Sequence, residues 1–248
     1  MNNIILSPHN SQKISDIEHE ITCPNVANHL RNILKLSSNK VKNLHIILPN
    51  IGSGVAEFQI AFDNKIRAKI ISEITPSSKR LIHLGVATTR PLMAKRIFEH
   101  STTLGTASFN FFKADLSEKS YFDSSVYEEE NYRTFIEKGM AQCRQFTTIP
   151  AVEKYESLLK LIEKFRKLNI DIFWLDHEAN NFFNDNNIDK EILLLIGPER
   201  GWTVQEKQIF IDNGIIGIKL SDSVMRVEFA INAAFAQIEY LKMRRSDV

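Results

Sequence analysis

The chain has 248 residues, 43% of them hydrophobic and 25% charged, with a formal net charge of +1 at pH 7. This composition argues against a disordered chain, and a charge so close to neutral is not typical of a general nucleic-acid-binding protein. No apolar run approaches the roughly 18 residues of a membrane helix, and no signal-peptide pattern begins the chain, so we expect a cytoplasmic location and no membrane partner. Cys23 and Cys143 are isolated, so we expect neither a metal site nor a disulfide framework.

The amino-terminal part of the chain is predicted to form a small β-rich barrel. Residues 25–36 have a helical pattern, in which Arg31 and Lys35 lie about one turn apart on a common face. Three strands are predicted after this helix: His45–Pro49, Val55–Phe62 and Ile66–Ile74. Turn-forming residues at 52–54 and 63–64 separate them, and the G-x-G at 52–54 favours a turn over a phosphate-binding loop.

A domain boundary is predicted where the sequence Thr-Pro-Ser-Ser, residues 75–78, interrupts two structured regions. We therefore expect two domains, residues 1–75 and residues 76–248. Residues 65–96 carry eight lysines and arginines against the single acidic residue Glu73. This stretch is consistent with a positive face that binds nucleic acid and equally with ordinary exposed side chains.

Strands and helices alternate after the boundary. Strands are predicted at Leu81–Ala87, Ala107–Phe112 and Ile170–Leu175, and helices at Leu92–Thr103, Asn131–Phe146 and Val152–Leu168. Such alternation is typical of an α/β domain with a mostly parallel sheet and helices on both faces.

Two loops near the carboxyl terminus are predicted to form one ligand site. The apolar run Ile192–Ile196 has the composition of a strand buried on both faces, and the sequence Gly-Pro-Glu-Arg-Gly-Trp at 197–202 follows it. Thr203 and Glu206 have the spacing of a capping box, which begins the next helix. A strand at Ile215–Leu220, a loop at Ser221–Arg226 and a helix at Val227–Lys242 complete the pattern. Both loops then lie at the carboxyl ends of parallel strands, where ligands bind in open α/β sheets.

These two loops carry a resemblance to a known family. The matching residues are Gly197, Pro198, Glu199 and Gly201 in the first loop, and Leu220, Val224, Met225, Arg226 and Glu228 in the second. Weaker matches lie at His29, Leu30, Ile33, Leu34, Lys35 and Leu36, and at Thr102, Leu104 and Gly105. Together they resemble the ribosomal RNA small subunit methyltransferase E family of the SPOUT superfamily. The sequence departs from the family pattern at Arg200, Ser221, His100, Thr103 and Phe229.

The resemblance implies an amino-terminal PUA-like RNA-binding domain and a carboxyl-terminal SPOUT domain with a trefoil knot. It further implies a homodimer that uses S-adenosylmethionine to methylate N3 of a uridine in 16S ribosomal RNA, either free or in the 30S subunit. The expected cofactor-binding residues are Leu175, Asp176, Ile196, Gly197, Pro198, Gly201, Leu220, Ser221 and Met225. His29, Arg31 and Lys35 are the candidate RNA contacts.

The implied reaction assigns roles to three charged residues. N3 of uridine is protonated at neutral pH, so an anion develops on the base as the proton leaves. Arg226 is the candidate for stabilising that anion. Glu228 is expected to orient Arg226, and Glu199 to receive a proton or hold a loop N–H.

Two alternatives stay open at this point. The departures at Arg200, His100 and Thr103 allow another SPOUT RNA methyltransferase with a different target. A non-catalytic protein that binds ribosomal RNA is the other alternative. A nucleotide-hydrolysing α/β protein is disfavoured, because no Walker-type phosphate loop follows a predicted strand.

Overall fold

The computed structural model describes residues 3–38, 40–143, 145–185 and 190–246. The chain forms two compact units, the first from residues 1–79 and 137–149 and the second from residues 80–136 and 150–248. The first unit thus includes a segment from the middle of the chain. The predicted boundary after residue 75 divides the chain into contiguous parts and stays a prediction.

Within the described residues, the first unit contains a seven-stranded mixed sheet. Its strands are β1 (Ile4–Ile5), β2 (Ser11–Lys13), β3 (Glu18–Ile21), β4 (Lys42–Leu48), β5 (Gly52–Ile60), β6 (Ile66–Ile70) and β7 (Thr75–Pro76). The strand order is β1-β4-β5-β6-β3-β2, β7 pairs with β5, and only the β1–β4 pair among these is parallel. Alternate strand residues, with Phe58 and Ile46 fully buried, form its core.

The structure of this unit differs from the sequence analysis in three details. Strands β1 to β3 were not predicted, because each spans only two to four residues. Residues 52–54 belong to β5 rather than to a turn; a Cβ at Gly52 would lie 2.3 Å from the backbone oxygen of Thr75, so glycine lets β7 approach. The predicted helix 25–36 is helix α1 (Pro24–Asn28) followed by a π-helical turn at His29–Ile33.

The second unit has six parallel strands among the described residues. They are β8 (Ile82–Ala87), β9 (Thr106–Phe112), β10 (Ala151–Tyr155), β11 (Asp171–Leu175), β12 (Ile192–Ile196) and β13 (Ile216–Ile218), in the order β10-β9-β8-β12-β11-β13. The helices after α1 are α2 (Pro91–Thr103), α3 (Lys119–Phe122), α4 (Glu129–Gln142), α5 (Leu158–Lys167), α6 (Val204–Asp212) and α7 (Val227–Ser246), with a 3₁₀ turn at Ser125–Tyr127. Helix α4 contributes residues to both units.

Strand β12 lies in the interior of this sheet, between β8 and β11, and all five of its residues are buried. Leu193 and Leu195 pack in one apolar cluster with Leu161 and Phe165 of α5. The intervening residues point to the opposite face, where α7 contacts the strand. The continuous apolar run is therefore explained by burial on both faces, as predicted.

The helix predicted at Val152–Leu168 is wrong in its first half. Residues 151–155 form β10, an edge strand beside β9, and the helix begins after Ser157, whose hydroxyl accepts a hydrogen bond from the N–H of Lys160. The apolar spacing near residue 152 fits both structures, so the sheet pairing decides between them.

The predicted fold class is confirmed: a β-rich unit, here a curled half-barrel rather than a closed barrel, and a parallel α/β unit. The trefoil knot stays a prediction. No helix in the described parts of the chain is long and apolar enough to cross a membrane.

Candidate functional site

Both carboxyl-terminal loops line one cavity of about 480 Å³ in the second unit. The cavity lies at the carboxyl ends of the neighbouring strands β12, β11 and β13, because parallel strands end at a common edge of the sheet. All nine expected cofactor-binding residues line it: Leu175, Asp176, Ile196, Gly197, Pro198, Gly201, Leu220, Ser221 and Met225. Its volume falls in the range of small-molecule sites.

The first loop is held closed by its own glycines and Trp202. The N–H of Gly201 donates to the carbonyl of Pro198 at 2.9 Å, and Gly201 has φ +75°, a conformation that other residues rarely adopt. A Cβ on Gly197 would lie 2.9 Å from the Trp202 ring. Trp202 in turn donates from Nε1 to the carbonyl of Leu175 at 3.0 Å, which ties this loop to the end of β11.

The predicted capping box is present and fixes the direction in which the chain leaves the first loop. The N–H of Glu206 donates to the Thr203 hydroxyl at 3.1 Å, and the N–H of Thr203 donates to the Glu206 carboxylate at 2.9 Å. Glu206 also accepts from the N–H of Asp115 at 3.1 Å, although its carboxylate is almost fully buried. Two backbone N–H groups at the start of α6, which have no partner within the helix, and the N–H of Asp115 in a distant loop are thereby hydrogen-bonded.

The second loop is tied to helix α7. Gln237 donates from Nε2 to the carbonyl of Leu220 at 2.8 Å, and the carbonyl of Arg226 accepts from the N–H of Ala230 at 2.9 Å. Arg226 therefore lies directly before the helix, with its exposed side chain at the cavity. Within the described residues, its guanidinium forms no ion pair with Glu199 or Glu228.

Glu199 is held by a residue of another strand end. The Thr89 hydroxyl, two residues after β8, donates to Oε1 of Glu199 at 2.9 Å. Tyr127 fixes Thr89, because its hydroxyl accepts from the Thr89 N–H at 3.3 Å and donates to the Thr89 carbonyl at 3.4 Å. Burial raises the pKa of Tyr127 to about 12, and the nearby Glu199 charge adds to the effect, so the phenol stays protonated.

Asp176 lies at the cavity wall with its carboxylate already paired. Its side chain is 5% exposed, and Lys207 contacts it at 2.6 Å while contacting Glu178 at the same distance. Burial works to lower the pKa of Lys207, but the hydrogen bonds and charges of the two carboxylates outweigh it and raise the pKa. The ammonium is therefore a fixed positive charge between two acids.

Glu228 is not among the residues that line the cavity, and its expected role of orienting Arg226 stays a prediction. Its side chain is buried, and its Oε2 has no hydrogen-bond partner in the part of the chain that the structure describes. Residues two apart at a helix start point in different directions, which explains why Glu228 turns inward while Arg226 points outward.

Arg200, which the sequence analysis noted as a departure from the family glycine, is exposed at the cavity rim. Three other residues at this site were missed. Lys207 lies one turn into α6, where nothing local distinguishes it from a surface lysine. Thr89 and Tyr127 carry no motif, because their role arises only from the contact with Glu199.

The candidate RNA contacts lie in the first unit. His29 is partly buried in the π-helical turn, and Arg31 donates from Nη2 to the carbonyl of Asn64 at 2.6 Å. Lys35 is exposed with φ +55°, outside the helix. Arg31 and Lys35 therefore do not share a helix face, contrary to the prediction, because the left-handed residue ends the helical path.

In this protein a cavity lies between two loops at the carboxyl ends of parallel strands. This arrangement is typical of α/β proteins that bind a small molecule at that edge of the sheet. The chain belongs to the RNA methyltransferase domain family, whose model matches residues 76–239. The resemblance to the ribosomal RNA small subunit methyltransferase E family is confirmed by curated relatives across most of the chain.

Three relatives illustrate the match. The chain is 26% identical over 211 residues to ribosomal RNA small subunit methyltransferase E 1 of Borreliella burgdorferi, covering 84% of this chain and 87% of that protein. It is 26% identical over 218 residues to ribosomal RNA small subunit methyltransferase E of Treponema pallidum, covering 85% and 80%. The structure of ribosomal RNA small subunit methyltransferase E from Neisseria gonorrhoeae bound to S-adenosyl methionine is 19% identical, with a TM-score of 0.75 and coverage of 97% and 98%.

Proposed function

We propose that this chain uses S-adenosylmethionine to methylate N3 of a uridine in the 16S ribosomal RNA of the small subunit. We propose further that it acts as a homodimer in the cytoplasm, on free RNA or on the 30S subunit. The observation that carries the proposal is the single cavity formed by the two loops that match the family pattern. The curated relatives from Borreliella and Treponema are named for action on small-subunit ribosomal RNA.

The residues at the cavity fit the proposed cofactor. Apolar side chains of Leu175, Ile196 and Leu220 provide walls for a flat aromatic base, and the loop backbones provide polar groups beside them. Gly201 leaves open space where a side chain would stand, since a Cβ there would meet nothing within 4 Å. The proposed reaction requires no metal ion at this cavity, because methyl transfer from a sulfonium depends on positioning and exclusion of water.

The cofactor supplies an electrophilic methyl group on a sulfonium. When bound, it would be held by the residues that line the cavity and would supply this methyl group to uridine N3, whose proton would pass to an acceptor. The guanidinium of Arg226 lies at the cavity without an ion-pair partner in the described residues, so it can face the carbonyl oxygens of a deprotonated uracil. Arg226 therefore favours loss of the proton and stabilises the anion that attacks.

Glu199 is the proposed proton acceptor or its positioning partner. One carboxylate oxygen accepts from Thr89, and the residue as a whole is exposed at the cavity, so the other oxygen remains accessible. A single fixed oxygen limits rotation of the carboxylate without neutralising its charge. Glu228 lies buried in the first turn of α7, two residues after Arg226, and its proposed role remains that of orienting Arg226.

An exposed stripe on α7 supports the proposed dimer. Phe229, Tyr240 and Met243 are 57%, 60% and 61% exposed, and their spacing of eleven and three residues places them along one side of the helix. Large apolar side chains aligned in this way favour contact with a second copy over permanent exposure to water.

The test compares Arg226→Ala and Arg226→Lys with the wild type on 30S subunits from a strain that lacks the modification. We expect both variants to bind S-adenosylmethionine with wild-type heat in calorimetry, and we expect Ala to lose most methyl transfer. Unchanged turnover of Arg226→Ala would remove this residue from the mechanism. Leu159→Ala, an exposed position on α5 away from the cavity lining, is the matched control.

Mass spectrometry of the methylated nucleoside separates this proposal from a SPOUT enzyme with another target, which the exposed Arg200 at the cavity rim favours. A product other than 3-methyluridine would establish that alternative. A non-catalytic ribosomal RNA-binding protein would give no saturable heat with S-adenosylmethionine.

A further inference from the structure

The hairpin between β5 and β6 presents one aromatic side chain directly to solvent. Phe62 lies at its tip and is 114% exposed, more than any other large hydrophobic residue in the described chain. An isolated exposed apolar residue needs no special explanation on its own. What distinguishes Phe62 is the construction of the turn that carries it and the charge beside it.

The turn is closed by a dense set of hydrogen bonds. The N–H of Ala61 donates to the carbonyl of Lys65 at 2.8 Å, and the N–H of Asn64 donates back to the carbonyl of Ala61 at 2.9 Å. Asn64 has φ +63°, the left-handed conformation that hairpin turns require. The Asp63 carboxylate accepts from the Lys65 N–H at 3.2 Å and pairs with Arg67 at 2.9 Å. Phe62 is therefore held out by an ordered turn rather than by a loose loop, which lowers the entropic cost of binding.

One cation at this tip, Arg31, is not paired with a carboxylate in the described residues. Arg31 donates to the carbonyl of Asn64 at 2.6 Å, and Asn64 lies two residues after Phe62 in the chain. By contrast, Lys65 is paired with Glu20 at 2.7 Å and Arg67 with Asp63. A guanidinium without a carboxylate partner in the described residues is thus anchored to the same hairpin turn that carries the exposed Phe62 ring. This combination matches the two parts of a nucleotide, a flat base and a phosphate.

We propose that Phe62 and Arg31 form a nucleotide-binding finger, in which an unpaired base of the RNA substrate stacks on the Phe62 ring and the adjacent phosphate pairs with Arg31. The inference rests on the proposed function, since it names a contact for the same substrate outside the cavity. In this proposal the position of the Arg31 guanidinium is fixed by its hydrogen bond to the hairpin, and no shared helix face with Lys35 is needed.

A second copy of the chain is a poorer match for this tip. A phenylalanine buries at most about 200 Å², well below the roughly 800 Å² that each partner contributes to a stable protein interface. A single nucleotide needs no larger apolar surface, and its negative charge complements Arg31. The observations therefore favour RNA.

The experiment measures fluorescence anisotropy of a labelled single-stranded oligouridylate with the full chain and its variants. We expect Phe62→Ala and Phe62→Leu to bind about tenfold more weakly, because both lose the π face, and Phe62→Trp to bind at least as tightly as the wild type. Arg31→Met should reduce the steepness of the salt dependence by about one unit of log affinity per log salt. Ile51→Ala is the control, since Ile51 is 64% exposed in the turn at the other end of β5.

Three results would overturn the finger. The first is wild-type affinity in Phe62→Ala, with or without a change in its sedimentation. The second is wild-type affinity in Phe62→Leu, which would show that apolarity alone suffices. The third is an unchanged salt dependence in Arg31→Met. Calorimetry of the wild type with S-adenosylmethionine is run in parallel. Absence of heat there refutes the proposed function, whereas equal RNA affinities refute only the finger.

Discussion

The contact between Thr89 and Glu199 offers a sharp test of the site, because one isosteric substitution removes it. Thr89→Val replaces the hydroxyl with a methyl group at a position that is 0% exposed, and so preserves volume while deleting the donor to Glu199. The backbone bonds between Thr89 and Tyr127 do not involve the side chain and should persist. The substitution therefore acts on Glu199 with little effect on the fold.

The size of the effect follows from the kind of hydrogen bond that is lost. A hydrogen bond to a charged group contributes about 1.5–3 kcal/mol, and exposure of Glu199 lets water replace part of it. A remaining loss of about 1 kcal/mol corresponds to about a fivefold fall in turnover. Because the role is to position Glu199, we expect kcat to fall while the KM for S-adenosylmethionine stays unchanged.

The assay is methyl transfer to 30S subunits with Thr89→Val, Thr89→Ser, Glu199→Gln and the double variant Thr89→Val with Glu199→Gln. Serine keeps the hydroxyl and should restore turnover. If Thr89 acts through Glu199, the double variant should be no slower than Glu199→Gln alone. The reasoning fails if serine is as slow as valine, or if the two substitutions combine multiplicatively.

Two further predictions concern stability and assembly. The pKa of Tyr127 is raised from 10 in the unfolded chain to about 12 in the folded chain, so its contribution to the free energy of unfolding is complete below pH 10 and is lost as the pH rises toward 12. About 2–3 kcal/mol of the free energy of unfolding should disappear over this window. Tyr127→Phe should show a smaller alkaline loss when denaturant titrations are repeated at each pH. An equally steep alkaline loss in the phenylalanine variant would contradict this assignment. Tyr240→Glu places a charge in the exposed stripe of α7 and should convert the proposed dimer to a monomer in sedimentation velocity, whereas Glu239→Gln on the same helix should not. A dimeric Tyr240→Glu would contradict the proposed interface.

The parts of the site that could be predicted are those encoded by neighbouring residues. The run Ile192–Ile196 predicted the bounds of β12, and the spacing of Thr203 and Glu206 predicted the capping box that begins α6. Both signals are local, because burial on two faces requires apolar residues throughout and a capping box spans a single turn.

What could not be predicted depends on residues far apart in the chain. Thr89 and Glu199 are 110 residues apart, and nothing near either one indicates that β8 lies beside β12. The same limit explains the error at 151–155, where only pairing with β9 distinguishes a strand from the start of a helix. It also applies to Glu228, because the burial of its side chain at the start of α7 depends on packing that its position in the motif does not reveal.

The charges around the cavity support the proposal that Arg226, rather than Lys207, stabilises the developing anion. Lys207 contacts two carboxylates at 2.6 Å, so its field is cancelled locally and any new anion would compete with Asp176 and Glu178. Arg226 has no such partner among the described residues, and Glu199 is anchored by an uncharged hydroxyl instead of by a cation. If Glu199 were held by Arg226, stabilising the uracil anion would first require breaking that ion pair. Because Thr89 holds Glu199, the guanidinium of Arg226 stays free for the proposed uracil anion, as the proposed loss of the N3 proton would require.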